Sequence, residues 1–426
     1  MNRNLIALLL VGTVLGAGEA GVNIVSRDGS GWILEVDGKP FPIRGVGGSS
    51  HLELLKASGG NALRTWGIQD LEKQVDGKRL IDRAHELGLK VVPGLWIGHE
   101  RHGFRYDDAA MVQKQRDEVR AAVRKWKDHP AVLMWGLGNE MEGVTSATGS
   151  EAVYREIEEL TKVVKAEDAL HPVMSVIAWN PAKVAPILKH CPSLDVLGVN
   201  SYGAASGAPE ALRRAGWKKP FAVTEFGVPG PWEVGKTTWG APVEPTSHEK
   251  ARTFYATHRL VTELNDGKEL CLGTFAFVWG AKQERTATWF GMFLASGEKL
   301  PSVDAMSKAW TGSWPANRCP TVERLAAACA MQSVKAGSEQ TATLMVTDPD
   351  GDPLRFAWDV AAESTDIKVG GDAEAKPPSF PELITAGAGA ECRFTAPKQP
   401  GAYRLFVTVF DGKGGAGTAN FPFRVE

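Results

Sequence analysis

Lys78-Arg79-Leu80-Ile81-Asp82-Arg83-Ala84-His85-Glu86-Leu87-Gly88-Leu89-Lys90-Val91-Val92-Pro93-Gly94-Leu95-Trp96 decides the fold. Lys78–Leu87 has the spacing of an amphipathic helix that Gly88 stops, and Leu89–Trp96 is a short, β-rich apolar run. A helix feeding straight into an apolar strand is one step of a repeating α/β unit, and the step recurs on both sides. Eight such strand runs are present: Phe41–Val46, Asn61–Trp66, Leu89–Trp96, Ala131–Leu137, Pro172–Ala178, Asp195–Val199, Pro220–Thr224 and Leu272–Val278. Helical stretches separate them, among them Asp107–Trp126, which ends before Pro130, Glu151–Lys165, Pro181–His190, Pro209–Ala215 and Ser247–Leu264.

This rhythm predicts a (β/α)8 barrel, of the TIM type, over residues 41–314. A doubly wound open sheet is the alternative, but no GxGxxG or Walker motif accompanies it. Residues 21–40, with Asn23–Val25, Trp32–Val36 and the turn Asp37-Gly38-Lys39-Pro40, read as a β-hairpin that closes the barrel bottom. Residues 315–330 read as a linker. Residues 331–426 carry alternating strands (Thr341–Val346, Leu354–Val360, Ala402–Phe410, Ala419–Val425) between Asp/Gly/Pro turns, the pattern of an all-β, immunoglobulin-like sandwich. The fold class is therefore α/β followed by all-β.

With 426 residues, 43% hydrophobic and 23% charged, the chain is an ordinary globular protein with room for more than one unit. A net charge of -2 provides no field to draw nucleic acid or anionic lipid, so a neutral substrate fits better. Fourteen tryptophans against five tyrosines, many in loops, suit stacking on sugars. Residues 1–20 read as a signal peptide, with Arg3, an apolar run Leu5–Leu15 and Gly18-Glu19-Ala20 as the cleavage site. The expected location is secreted or periplasmic, with no membrane span after cleavage. In an oxidising compartment the five cysteines cannot all pair; Cys319 with Cys329 is the expected bridge, and Cys271 a buried thiol. No CxxC or Cys/His cluster points to zinc, and His99-Glu100-Arg101-His102 lacks the spacing of a helical metal site. No metal and no cofactor are expected.

Catalytic groups of such a barrel collect at the C-terminal ends of its strands. The fourth strand ends Trp135-Gly136-Leu137-Gly138-Asn139-Glu140 and the seventh Val223-Thr224-Glu225-Phe226-Gly227. Two carboxylates facing each other across the mouth suit cleavage of a glycosidic bond, one protonating the leaving oxygen and the other attacking the anomeric carbon. Burying a carboxylate at the end of an apolar strand is costly unless the group is paired or functional. Glu142 is a rival for the acid.

Asn139-Glu140 and Glu225 resemble the large clan A of retaining glycoside hydrolases, with barrels like those of families 2, 5 and 17. The resemblance covers the barrel and implies Glu140 as acid/base and Glu225 as nucleophile. It further implies that Arg64, in Asn61-Ala62-Leu63-Arg64-Thr65-Trp66, holds Glu225 ionised, that Tyr202, in Asn200-Ser201-Tyr202, donates to it, and that Asn139 bonds the sugar 2-hydroxyl. Trp279 is similar to the clan's floor under the sugar beside the cleaved bond. The sequence departs from several subfamilies in having Asn-Ser-Tyr where they show His-x-Tyr. The C-terminal region resembles immunoglobulin-like or polycystic-kidney-type modules; its turn Asp348-Pro349-Asp350-Gly351-Asp352 offers oxygens that suit Ca²⁺, but the same pattern makes a plain acidic turn.

Loop residues complete the candidate substrate site. They are Trp66, Trp96 and His99 early in the barrel, Trp232 and Trp239 after strand seven, and Gln283 and Trp289 after strand eight. The expectation is a retaining β-glycosidase acting by double displacement on a β-linked oligo- or polysaccharide, a β-glucan above all. A transglycosylase with the same site is the alternative. A non-catalytic carbohydrate-binding surface protein would lack a carboxylate, and a metal-dependent hydrolase would need a His/Asp cluster at the strand ends.

Overall fold

The computed structural model describes residues 21–27, 31–143, 149–263 and 270–426. The expected signal peptide, residues 1–20, lies outside the described residues, as does Leu264 at the expected end of one helix. Eight parallel staves form the barrel: Ile43–Gly47, Ala62–Arg64, Lys90–Val92 continued by Gly94–Leu95, Trp135–Leu137, Val173–Ala178, Val196–Asn200, Phe221–Phe226 and Cys271–Ala276. The third stave closes the ring. Lys90–Val92 pairs with Ala62–Arg64 while Gly94–Leu95 pairs with Trp135–Leu137. Pro93 has no N–H to give to the ladder and divides the two pieces, yet its carbonyl accepts from Gly136 N at 2.9 Å. Every residue of Val196–Asn200 and Phe221–Phe226 is buried, the condition that turns strands into continuous apolar runs.

The helices begin and end where side chains satisfy free backbone groups. Asp108 accepts from the N–H groups of Ala110 and Met111 and starts Ala109–Trp126, while Thr246 and Glu249 form a capping box ahead of Ser247–Thr262. Gly88, at φ +66°, turns the chain out of Leu80–Glu86 and into the third stave. The hairpin strands Val22–Arg27 and Gly31–Val36, with Lys39–Pro40, pair antiparallel. Their Val22, Leu34 and Val36 join Ile43, Met134, Met174 and Phe275 in one apolar plug at the barrel bottom, each such burial being worth about 1.5–3 kcal/mol. Polar strand ends are thus left to the opposite mouth.

The sandwich consists of two four-stranded sheets. One is ordered Thr321–Ala327, Glu339–Thr347, Glu391–Thr395, Ile384–Ala386; the other Ser333–Val334, Ala416–Val425, Gly401–Phe410, Arg355–Ala362. Val360, Leu405, Val407, Phe394 and Phe423 fill the space between them. Two expectations need correction. Residues 315–330 are not a linker, because Thr321–Ala327 is a strand of the first sheet, paired along its length with Glu339–Thr347. Nor is Cys319 bridged to Cys329: all five cysteines are free. Cys319 is held at the barrel junction, where its N–H bonds Asp304 Oδ2 at 2.7 Å, whereas Cys329 packs within the sandwich core.

Barrel and sandwich share a buried polar interface. Arg404 of the sandwich donates to Pro242 O at 2.6 Å and pairs with Glu363 at 2.8 Å, and Asn420 donates to Glu244 Oε2 at 2.7 Å. Glu244 also meets Lys250, Thr286 and Thr288. Burial pushes its carboxyl up, but Lys250 and Arg404 more than offset this and hold it below the usual range.

Candidate active site

Glu225 ends the seventh stave with three donors on its carboxylate. Arg64 Nη1 at 3.1 Å and Trp66 Nε1 at 3.3 Å reach Oε1, and the Tyr202 hydroxyl at 2.7 Å reaches Oε2. Arg64 is itself fixed by the Thr224 carbonyl at 3.1 Å and by Asn139 Oδ1 at 2.8 Å, so one guanidinium spans strands two, four and seven. Burial, then the charge of Glu225, pushes the Tyr202 phenol well above its ordinary value, which keeps it a donor.

Glu140 is placed by a sharp turn. Gly138 at φ +69° precedes it, and Glu140 itself adopts φ +54°, a strained region for a side-chain-bearing residue, held there by its N–H to Val176 O at 2.8 Å. Its carboxylate receives Asn200 Nδ2 at 2.9 Å. Burial, followed by the negative charge of Glu225, pushes Glu140 up to about 7. Two buried carboxylates with such unequal donor sets can divide a proton-donating role from a nucleophilic one.

Asn200 joins the pair. It donates to both Glu140 and Asn139 Oδ1 (3.1 Å) and accepts from Thr224 Oγ1 at 2.8 Å. Sequence reasoning quoted it without a role, although its place at the end of stave six was the available signal. The rival Glu142 points elsewhere: it is buried against Lys183 at 2.8 Å and accepts from Ala178 N at 2.8 Å.

The aromatic candidates separate into two groups. Trp96 and Trp232 are open, at 44% and 59% exposed, and Trp232 meets Tyr202 edge-on at 5.8 Å. Trp279 and Trp289 are fully buried. The Trp279 ring packs on Phe293 and Trp310, its Nε1 faces His51 O at 3.5 Å and its backbone N–H joins the first stave through Gly47 O, so it presents no face to a sugar; Trp289 Nε1 is bonded to Pro229 O. Phe277 instead stands beside the donors of Glu225, 5.9 Å from both Trp66 and Tyr202. It was missed because Trp279, two residues on, carries the larger ring. Trp239 and Gln283 are half-buried, each with a buried N–H lacking a partner.

His99 is buried, with Nδ1 2.7 Å from Arg101 Nη1; burial, then Arg101 and His102, lower it to about 4. Glu284, also missed, pairs with Lys282 at 3.2 Å; burial raises its carboxyl, Lys282 opposes this, and Glu225 is among the charges it feels. Among the described residues, Asp348, Asp350 and Asp352 are the group able to converge on one ion. They lie on a sandwich turn, where Lys413 occupies Asp352 at 2.7 Å and Arg318 N bonds Asp350 at 2.7 Å. No helix among the described residues is long and apolar enough to cross a membrane.

Residues 49–229 match the family described as glycosyl hydrolases family 2, TIM barrel domain. No curated protein matches the chain at a significant level. Among solved structures, Bacteroides uniformis β-glucuronidase 2, covalently bound to cyclophellitol-6-carboxylate aziridine, is similar at TM-score 0.51 and 14% identity, over 95% of this chain and 48% of that one. An FMN-binding β-glucuronidase from Facaelibacterium prausnitzii L2-6 gives 0.51 and 13% over 95% and 59%. A family 2 β-galacturonidase from Eisenbergiella tayi bound to galacturonate gives 0.50 and 16% over 68% and 55%. The chain spans about half the length of these proteins, and at such identities the likeness is one of fold. Residues 49–229, which include the carboxylates that close staves four and seven, are thus similar to the TIM barrel domain of family 2 glycosyl hydrolases.

Proposed function

We propose that the protein is an exported β-glycosidase that cleaves a neutral β-linked glucan or related oligosaccharide by double displacement. The observation that carries this reading is the unequal pair: Glu225 held by three donors, and Glu140 raised to about 7 by burial and by Glu225. Glu225 attacks the anomeric carbon while Glu140 protonates the departing oxygen; Glu140 then takes a proton from the water that releases the sugar. Asn139, fixed through Arg64 and Asn200, is placed to meet a sugar hydroxyl beside the reacting carbon. The solved relatives are named for uronic acids, but here Lys282 is already engaged by Glu284 and by Gly371 O, which supports a neutral sugar. Export is supported by the basic start and apolar run of residues 1–20.

The test is hydrolysis of a panel of aryl β-glycosides and β-glucan oligosaccharides, with proton NMR reading the first-formed anomer. A β-anomer from a neutral β-glycoside is the expected product. An α-anomer, or cleavage of β-uronides in preference to β-glucosides, would overturn the mechanism or the substrate respectively.

A further inference from the structure

Glu142 and Lys183 form an ion pair two residues past Glu140 that the proposed reaction does not use. Both side chains are 1% exposed, with Lys183 Nζ 2.8 Å from Glu142 Oε1. Lys183 Nζ also donates to the carbonyls of Ala178 at 3.0 Å and Gly143 at 3.1 Å. Its three partners are all acceptors, so the nitrogen is an ammonium with every hydrogen engaged. Glu142 Oε1 takes a second bond from Ala178 N at 2.8 Å. Gly149, at φ +75°, passes so close that a Cβ there would lie 2.5 Å from Glu142 Cβ, and its backbone roofs the pair.

Burying two charges is costly, and an apolar pair of similar volume would fill the same space as well. Their place in the chain shows what the charges do instead. Gly138, Glu140 and Gly143 all have positive φ, +69°, +54° and +80°, and for Glu140 that conformation is strained. Glu140 N donates to Val176 O at 2.8 Å, and Gly143 N donates back to Glu140 O at 3.1 Å. Gly143 is thus gripped at both ends, by Glu140 through its N–H and by Lys183 through its carbonyl. Ala178, which ends stave five, is gripped likewise, by Glu142 through its N–H and by Lys183 through its carbonyl. The ion pair therefore fastens the 138–143 turn to the end of the fifth stave. Relaxing Glu140 to a negative φ would redirect its Cα–Cβ bond and draw the carboxylate away from Asn200 Nδ2, now at 2.9 Å.

We propose that Glu142 and Lys183 are positioning residues for the acid/base: their clasp holds the 138–143 turn in its strained form and keeps the Glu140 carboxyl aimed at the leaving oxygen. The proton-donating role rests on the glycosidase reading; the clasp on the turn does not. The variant to test is Glu142→Met with Lys183→Met, because either change alone strands a buried charge, whereas the pair of changes removes both and keeps the volume. Hydrogen exchange of the full chain, read by mass spectrometry, should be about tenfold or more faster in the 138–143 turn than in wild type, with the staves unchanged. On aryl β-glycosides kcat/KM should fall about 10- to 100-fold with phenolate as leaving group, and less than about threefold with dinitrophenolate, which needs little protonation. With the dinitrophenyl substrate kcat and KM should fall together, since the base that releases the sugar is misplaced too. Glu142→Asp keeps the charge but draws the carboxylate back from Ala178 and Lys183; it should show the same bias at smaller size, and it decides the matter if the double variant does not fold. A loss equal across leaving groups, or wild-type exchange in the 138–143 turn, would overturn the proposal. If wild type cleaves no β-glycoside, the functional reading fails while the exchange still decides the clasp.

Discussion

Tyr202 donates its hydroxyl to Glu225 Oε2 at 2.7 Å and thereby fixes one oxygen of the carboxylate whose other oxygen belongs to Arg64 and Trp66. The two oxygens are thus anchored from staves two and six, and Glu225 cannot rotate without breaking bonds on both sides. Glu140 has one amide donor, Asn200, and is otherwise enclosed. Under the proposed mechanism the carboxylate held by three donors suits attack, and the enclosed one, raised to about 7 by burial and by Glu225, suits carrying the proton.

Replacing Glu225 by Ala should abolish turnover by several orders of magnitude, since nothing else is placed to attack. Azide or formate should partly restore cleavage of an aryl β-glycoside from the vacated side and give an α-configured product, read by NMR. Tyr202→Phe should be milder, costing about 10²-fold or less in kcat, because it removes one of three donors and no reacting group. Full activity in Glu225→Ala would remove it from the mechanism.

Glu140 links activity to pH in a definite direction. With its carboxyl raised to about 7, the proton needed by the leaving oxygen is lost above neutrality, so kcat/KM on substrates with poor leaving groups should fall as pH rises through about 7. Stability should move with it. The folded chain keeps a proton that the unfolded chain, with an ordinary value of 4.5, gives up, so stability is lost as pH rises from about 4.5 to about 7. Glu140→Gln should match wild type near pH 4 and exceed it near pH 8 in urea midpoint. A variant that tracks wild type across that range would argue against a raised carboxyl.

The barrel was legible because parallel strands buried on both faces write themselves as unbroken apolar runs, and because glycines and caps mark the helix ends. Glu140, Glu225, Arg64 and Tyr202 were legible because each closes or follows such a run, and the structure brings all four together. Trp279 illustrates the limit. Sequence assigns a strand end but cannot say which of Phe277 and Trp279 turns inward, and that is settled by the space between stave one and the helix Pro301–Thr311, which the Trp279 ring fills against Trp310. Thr321–Ala327 was hidden among prolines and cysteines, since its pairing partner lies past a turn and its alternation is weak: Glu323 and Arg324 are consecutive exposed residues at a register shift. Asp372 was beyond reach altogether, being joined to Arg101 and His102 across 270 or so residues by tertiary packing alone.

The thiols give a simple check. Burial pushes Cys191 and Cys271 up to about 12 and Cys329 and Cys392 up to about 11, and Cys319 is raised as well. All should be inert as nucleophiles in the native protein. An aromatic disulfide reagent should label the folded chain very slowly and titrate five thiols after denaturation, with no change in melting temperature on adding a reductant. Three thiols after denaturation, with two more released by reductant, would restore a disulfide.

The buried interface makes the sandwich part of the fold rather than an appendage. Cutting the chain after Ala330 removes Asn420 and Arg404 from Glu244 and Pro242, and leaves Lys250, Thr286 and Thr288 at a newly wetted face. It also removes Asp372 from the mouth. The truncated barrel should therefore aggregate or melt early, and should not retain ordinary activity on even a small aryl glycoside. Arg404→Met tests the same contact without removing a domain: Glu363 loses its buried partner, a change that costs roughly 3–5 kcal/mol when one member of such a pair is deleted. Urea unfolding followed by the tryptophans should show one transition for both units, shifted to lower denaturant in the variant. Two transitions, with Trp358 of the sandwich core responding separately from Trp135 of the barrel, would show that the units fold independently and that the interface holds little of the stability.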